Sequence, residues 1–293
     1  MKKQIFILIV FFFTLEGYAQ QNNYNHAYYS PLIYNPALAG DQGEIKIIAL
    51  SSRQWVGSEN AVSSTMITGG LPLAKHLAIG ARLSSDKVGL INNTAASMIL
   101  AYHLRLSAES NLSFGLSTGA AKTALGTSDL NAADGDDQLL GSIGLNETGF
   151  QGGFGLSYRN KRLDLGISSP SLISKKSTVS RFLLKNGKQF ILSGGYKFPV
   201  GQVLLAPRAI FRTQNEFQGK LETMMTFYLK ESFWLGGLYR FSYGPAFYGG
   251  FNIGKSFKVG YAYALGPGSA TAVVNGTHEI FLSYDLKSVF EKP

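Results

Sequence analysis

The chain has 293 residues, of which 45% are hydrophobic and only 15% charged, whereas an ordinary soluble domain carries about 25% charged residues. Its formal net charge of +9 comes from basic residues scattered singly and in pairs, so the sequence indicates no nucleic-acid partner. The absence of cysteine excludes disulfides, thiolate metal sites and a cysteine nucleophile, and the 34 glycines with many aromatic residues exclude a disordered chain.

An export signal is predicted over residues 1–19. Lys2 and Lys3 form its positive region, residues 5–13 are apolar, and Gly17-Tyr18-Ala19 is a small-x-small cleavage site. A membrane-anchoring helix is the alternative, but this apolar stretch falls short of the roughly 20 residues that cross a bilayer. The mature chain is therefore expected to begin at Gln20.

Residues 20–43 separate the signal from the first predicted strand. The part from Ala27 to Gly40 is too aromatic for a free tail, and its two X-Pro steps are incompatible with a regular helix or a central strand. We expect a periplasmic or plug segment packed into or under the rest of the protein, with a disordered periplasmic tail as the alternative.

Residues 44–287 alternate with a period of two, as in 111–119, where large apolar side chains occupy the even positions. The pattern predicts about fourteen strands of roughly ten residues, near 44–53, 62–71, 76–85, 94–106, 109–122, 149–159, 162–168, 188–198, 203–213, 218–229, 232–241, 245–254, 256–265 and 277–287. The even-numbered connections are tight and several odd ones are long, which is typical of an outer-membrane barrel. Residues 288–293 form a C-terminal tail.

A soluble sandwich or a lipocalin-like barrel is the alternative for these strands. So few charges could not cover a wet exterior, so the apolar stripe is expected to meet lipid. The small, glycine-rich and sparsely charged stripe, which includes Gly115 and Gly155, would then face a lumen. The predicted fold class is all-β, a transmembrane antiparallel barrel of the outer-membrane type.

Catalytic signals are weak. Residues 115–119 match the G-x-S-x-G nucleophile elbow, but they lie inside an alternating strand rather than on a strand-to-helix turn. The four histidines show no metal-ligand spacing. A barrel hydrolase stays open as an alternative because a barrel could gather His103, Asp164 or Glu222 from separate strands, but we expect no enzyme, no cofactor and no metal site.

Two predicted long loops carry opposite charge. The 123–148 loop contains Asp134, Asp136 and Asp137, whose oxygens suit calcium, although a solvated acidic loop is the commoner outcome. The 171–188 loop is basic, and lipopolysaccharide or an acidic partner is the alternative to a solvated loop. The candidate surface contacts are Asp134, Asp136, Asp137, Lys175, Lys176 and Arg181.

Four short motifs occur in order along the chain: Tyr34-Asn35-Pro36-Ala37-Leu38-Ala39-Gly40, then Arg53-Gln54-Trp55-Val56-Gly57, then Asp86-Lys87-Val88-Gly89 with Asn92-Asn93, and finally Gly276-Thr277-His278-Glu279. Together they resemble the PorP/SprF family of Bacteroidetes outer-membrane proteins. The resemblance implies a barrel of the type IX secretion system and, in gliding members, attachment of secreted adhesins to the cell surface. It also implies structural or partner-binding roles for the motif residues.

The resulting hypothesis is a non-enzymatic outer-membrane barrel that helps to secrete or anchor type IX cargo. Both termini would be periplasmic and the long loops would lie at the cell surface. The partners implied are outer-membrane lipids, a secreted cargo or adhesin, and other type IX components. A diffusion porin and a barrel hydrolase are the alternative functions.

Overall fold

The computed structural model describes residues 29–57, 61–125, 146–174, 188–214, 218–229, 232–241, 243–254, 256–266 and 275–287. The predicted signal and the C-terminal tail lie outside these ranges. Three short 3-10 turns come first, at Pro31–Ile33, Pro36–Leu38 and Asp41–Gly43. Among the described residues, no helix is long and apolar enough to span a membrane.

Fifteen strand segments follow among the described residues. They are β1 Glu44–Gln54, β2 Val62–Pro72, β3 Leu77–Val88, β4 Ile91–Arg105, β5 Asn111–Leu125, β6 Asn146–Arg159, β7 Leu163–Ser174, β8 Gln189–Tyr196, β9 Phe198–Val200, β10 Val203–Gln214, β11 Gln218–Leu229, β12 Phe233–Arg240, β13 Gly244–Ile253, β14 Phe257–Ala264 and β15 Thr277–Lys287. Most bounds lie within about three residues of those predicted from the alternation, but β7 continues beyond the predicted 168 to Ser174, so the predicted 171–188 loop was placed too early. Because β8 and β9 both pair with β10, they form one barrel strand, and the barrel has 14 strands.

The sheet closes on itself. Neighbours in sequence pair antiparallel around the ring, and β15 pairs with β1 from Glu44 opposite Lys287 to Gln54 opposite Thr277. Closure leaves no open sheet edge, which is the condition for a sheet to cross a membrane. The predicted antiparallel barrel is confirmed.

The break between β8 and β9 has a local cause. Arg208 pairs with Gly195 and Leu205 pairs with Phe198, so the register is the same on both sides of the break. Pro207 lies between these pairs and has no N–H to donate to the ladder. The wall is therefore continuous at this point but has fewer backbone hydrogen bonds.

The two faces of the wall are those that the alternation predicts. On β5, Phe114 and Leu116 are 46% and 64% exposed, whereas Ser113 is 2% exposed. Outward aromatic side chains cluster towards both ends of the barrel, as in membrane barrels. They include Tyr158, Tyr196, Phe198, Phe233, Phe257 and Tyr284 towards the short turns, and Phe150, Phe190, Phe211, Tyr239, Phe241 and Tyr263 towards the other end. A few others, such as Phe247 and Tyr261, lie nearer the middle of their strands.

The inner face departs from the expectation of a uniformly small and sparsely charged stripe. Small residues predominate on the inner face from β2 to β7, whereas β10 to β15 combine large or charged inward side chains with small positions such as Gly236, Gly250 and Gly260. Buried examples are Ile210, Arg212, Glu222, Met224, Trp234, Arg240, Tyr248, Glu279 and Phe281. The difference has a steric reason, because the small half of the wall receives an additional segment of the chain.

Candidate functional site

Residues Tyr29–Gly43, here called the inner segment, lie inside the barrel before β1. Leu32 to Gly40 are all buried. The ring centroid of Tyr29 lies 5.0 Å from that of Trp234 and 4.6 Å from that of Phe281, two inward-facing residues.

The motif of residues 34–40 contains the second 3-10 turn, Pro36–Leu38, which forms for local reasons. Asn35 caps the second 3-10 turn, because its Oδ1 accepts a hydrogen bond of 3.0 Å from the backbone N–H of Ala37. Pro36 occupies the first position of that turn, where no N–H is needed. Gly40 has a φ of +59°, and a Cβ there would lie 2.6 Å from the Cβ of Ala78. Both its backbone angle and the space therefore favour glycine.

The glycines of the small half form a seat for the inner segment. A Cβ on Gly115 of β5 would collide with the backbone of Pro36 and Ala37, and a Cβ on Gly155 of β6 would collide with the Asn35 side chain. On the other side of the seat, a Cβ on Gly70 would approach Ala39 to within 2.8 Å. The lumen-facing glycines thus allow the backbone of the segment to lie directly against the wall.

Polar contacts fix the inner segment to this seat. The wall and the segment exchange three hydrogen bonds in which a side chain donates to a backbone carbonyl oxygen. They are Arg82 Nη2 to Leu32 O (2.9 Å), Asn35 Nδ2 to Leu156 O (3.1 Å) and His103 Nε2 to Ala39 O (2.9 Å). Arg159 forms an ion pair with Asp41 where the segment enters β1. The segment is therefore attached along its whole described length.

Tyr34 connects the inner segment to a buried charge cluster on β10 to β12. Its hydroxyl accepts a hydrogen bond of 3.3 Å from Arg208, and the guanidinium of Arg212 lies 5.4 Å from the centroid of its ring. Arg208 is paired with Asp164. Glu222 lies 3.0 Å from Arg212 and 3.5 Å from Arg240, so its buried carboxylate is shared by two arginines. None of the three arginines was predicted as a site residue. The sequence does show that Arg208 and Arg212 are four residues apart, which places both on the same face of β10.

The residues on which the hydrolase alternative depends have separate partners. His103 contacts Ser113 through Nδ1 (2.8 Å) and Ala39 through Nε2, so no carboxylate orients its ring. Asp164 and Glu222 instead form the ion pairs with arginine described above. Ser117 of the G-x-S-x-G match lies inside β5, as predicted. The geometry of these residues supports packing rather than hydrolysis.

The other three motifs meet at the opposite end of the barrel from the short turns. Register places three of their residues, Asp86, Asn93 and Glu279, in one inward row with Ser52, Ser64 and Thr123. This row crosses the six neighbouring strands β15 and β1 to β5 and is here called the motif rim. Glu279 is fully buried, and the Thr123 hydroxyl donates a hydrogen bond of 3.2 Å to Asn93. Motifs that are far apart in sequence therefore form one polar belt at the mouth of the lumen.

The loop after β1 is attached to the chain before β15. The Val56 N–H donates to Gly276 O (3.3 Å), and the Asn275 N–H donates to Val56 O (2.9 Å). Trp55 adopts a φ of +57°, which is unusual for a residue with a side chain, and Gly57 has a φ of +98°. Gly89, with a φ of +56°, begins the two-residue turn between β3 and β4. The motif glycines thus shape the rim.

Gln54, the last residue of β1, lies opposite Thr277 at the same end and continues the inward face of Ser52. Other motif residues there point outward. Arg53 of β1 lies opposite His278 of β15, and Lys87 of β3 lies opposite Asn92 of β4. The side chain of His278 contacts the Tyr261 hydroxyl through Nδ1 and the Asn275 carbonyl oxygen through Nε2. These positions form the polar margin above the apolar outer face.

The candidate loop contacts Asp134, Asp136, Asp137, Lys175, Lys176 and Arg181 lie outside the described residues. In the part of the chain that is described, no three His, Asp or Glu side chains are grouped in a way that could hold a metal ion. Neither calcium binding nor a charged surface contact is therefore assigned from the structure.

A closed 14-strand antiparallel barrel with an apolar outer face and aromatic side chains towards both ends is an outer-membrane barrel. The family model described as "Type IX secretion system membrane protein PorP/SprF" matches residues 16–284, and the chain belongs to this family. No curated protein matches the sequence.

Two solved barrels share the fold at low sequence identity. The deltaS2S3 mutant of the monoaromatic hydrocarbon channel TodX is 13% identical, with a TM-score of 0.53 and coverage of 91% of this chain and 95% of that one. The toluene transporter TbuX of Ralstonia pickettii is 12% identical, with a TM-score of 0.51 and coverage of 88% and 93%. At this identity the likeness shows the fold alone.

Proposed function

We propose that this protein helps to secrete or anchor type IX cargo, such as an adhesin, at the cell surface, without catalysing a reaction. The observation that carries the proposal is the match of almost the whole chain to the PorP/SprF family. The proposal places both termini in the periplasm and the long connections at the cell surface, in line with the short turns that join β2 to β3 and β6 to β7 at the other end.

The inner segment supports a binding role over a diffusion porin. An open porin needs a water-filled lumen with charged rings facing the permeating solute. Here Leu32 to Gly40 occupy the small half of the lumen, and Arg208, Arg212 and Arg240 of the other half are paired with Asp164 or Glu222. We infer that the inner segment acts as a plug.

The motif rim and the two long loops are the proposed contact surface. Loops held by a rigid barrel are suited to partner recognition because they can vary without disturbing the scaffold. Because β5 ends at Leu125, β6 begins at Asn146 and β7 ends at Ser174, the two connections are shorter than predicted and span residues 126–145 and 175–188. The acidic first connection and the basic second one would steer and orient a protein partner by charge. The motif rim would support the bases of these loops.

The test replaces residues 126–145 and 175–187 by tight turns in the producing organism. Loop length has a small cost in free energy, so the barrel should still insert. We expect reduced surface retention of the type IX cargo encoded with this protein, measured by surface labelling. Cargo in the medium would indicate an anchoring role, and cargo in the periplasm a secretion role.

A matched control shortens the turn at residues 107–109, at the opposite end of the barrel, and should leave cargo retention unchanged. Wild-type retention after both loop replacements would contradict recognition by the loops, although the family assignment would stand. Co-purification of the cargo with the tagged full chain would then show whether the two proteins associate at all.

A further inference from the structure

The outer wall has a groove that the cargo-related function does not use. A cavity of about 770 Å³ lies against the outward side of β7, β8 and β10 to β13. Its floor follows a hydrogen-bonded row of small outward residues, in which Gly194 pairs with Ala209 and Ala209 pairs with Thr223. Leu165 and Tyr239 close the two ends of this row.

The glycines of this groove differ from those of the seat. A Cβ on Gly194 would meet only the Leu165 side chain, at 3.5 Å, and a Cβ on Gly237 would meet nothing closer than 3.7 Å. Both distances are ordinary van der Waals contacts, so packing within the chain does not require glycine at either position. The small residues instead leave a depression between large outward side chains such as Leu165, Tyr239 and Phe247.

The groove lies beside the break in the wall at Pro207. It begins at the short-turn end of the barrel and extends towards the middle of the wall. Leu163, the first residue of β7, and Tyr196, the last residue of β8, line its lower part, whereas Gly237 lines its upper part in the interior of β12. Next to Leu163, the exposed Arg162 lies in the short turn, and its carbonyl oxygen accepts a hydrogen bond of 2.8 Å from the Lys197 N–H. Arg162, an exposed cationic residue, therefore lies one residue before the groove lining at the short-turn end.

We propose that this groove binds one glycerophospholipid, with an acyl chain over Gly194, Ala209 and Thr223 and the phosphate near Arg162. The lining is predominantly apolar and lies on the lipid-facing surface, so the occupant is a hydrocarbon chain. The volume is that of an ordinary small-molecule site. The charge of Arg162 matches an anionic phosphate at the depth where lipid headgroups begin.

The site depends on the outer-membrane location, not on the role in cargo secretion. The proposed orientation matters only because it decides which leaflet surrounds the groove. With the short turns facing the periplasm, the groove lies in the inner leaflet, which consists of glycerophospholipid. Lipopolysaccharide from the other leaflet, a second copy of the chain or another membrane protein are the competing occupants.

The test measures phospholipid retained by the full chain, extracted from outer membranes in mild detergent, by native mass spectrometry. We expect one phospholipid per wild-type chain and at least about a tenfold lower bound fraction for Ala209→Trp, which fills the groove. Arg162→Gln should lower the fraction by about threefold, as loss of an exposed charge contact does. The matched control is Ala81→Trp, at an exposed outward position of β3, which should keep the wild-type fraction.

A gel shift on heating shows that each variant is folded, and Thr223→Leu fills the same groove if Ala209→Trp does not fold.

Purified protein offered phosphatidylethanolamine should bind it at one equivalent, and lipid A should not compete. Absence of bound phospholipid from the wild type, an equal loss in Ala81→Trp, or lipopolysaccharide or a polypeptide in its place would overturn the proposal.

Discussion

A cluster of buried, paired charges stabilises the large half of the lumen. Glu222 is 1% exposed and forms ion pairs with Arg212 and Arg240, which are also buried. Loss of one partner in such a group leaves uncompensated charge in a region of low dielectric, which costs more than the pair itself contributes. The cluster also supports Tyr34 through Arg212, so it connects the wall to the inner segment.

Glu222→Gln should lower the free energy of unfolding by about 3–5 kcal/mol, because two buried guanidinium groups lose their counter-charge. Urea titration of the protein folded in detergent or bilayers measures the change. The control is Glu109→Gln, which removes the carboxylate from the exposed pair with Lys161 and should cost at most about 1 kcal/mol. Equal effects of the two substitutions would show that the buried cluster has no special role.

Gly115 and Gly237 differ in the space that an added methyl group would have. Gly115→Ala places a methyl group against the backbone of Pro36 and Ala37, so it should lower the free energy of unfolding by about 1–3 kcal/mol. It should also make the inner segment more susceptible to protease. Gly237→Ala has room for its methyl group and should be neutral in both measurements. An unchanged protease pattern for Gly115→Ala would mean that the segment does not depend on close contact with β5.

The inner segment is the element that distinguishes this barrel from an open pore. It is held by side chains from β3, β4, β6 and β10, so its position is over-determined. Its two X-Pro steps restrict the unfolded chain and reduce the entropy lost when it becomes ordered. An element attached in this way occupies the lumen in the resting protein.

Deletion of residues 29–43 should open the small half of the lumen and increase conductance in planar bilayers, because the glycine-lined wall would then face water. The full chain should conduct much less. The control deletes residues 288–293, after β15, and should leave conductance at the wild-type level. An equally high conductance of the undeleted chain would revive the diffusion-porin alternative.

At the scale of the whole molecule, stability depends on closure between the first and last strands. β1 and β15 pair over their full length, and no other strand could replace β15 without opening the ring. An open edge in a bilayer leaves backbone N–H and C=O groups without partners, at several kcal/mol each. The barrel is thus expected to fold completely or not at all.

Truncation before Thr277 should therefore abolish the folded, heat-modifiable form on cold gel electrophoresis. Truncation before residue 288 should preserve it, because β15 ends at Lys287. A folded band from the shorter chain would indicate that thirteen strands can close a barrel, contrary to the register observed here.

The sequence alone determined the strands, the closed antiparallel order and the two faces of the wall. Alternation such as Phe114 and Leu116 against Ser113 is a property of adjacent residues, so it can be read without knowledge of distant contacts. The motif resemblance likewise indicated the family that the comparison shows. Their structural roles were not visible in the motifs themselves.

Only the tertiary structure decided where the inner segment lies, why Gly115 and Gly155 must be small, and which charges pair within the lumen. Contacts such as Asn35 with Leu156 join residues 121 positions apart. Which residues meet at such separations depends on the register and curvature of the closed ring, which bring together inward positions of non-neighbouring strands. Local patterns specify a strand and its faces, whereas the partners across the lumen exist only once the barrel has closed.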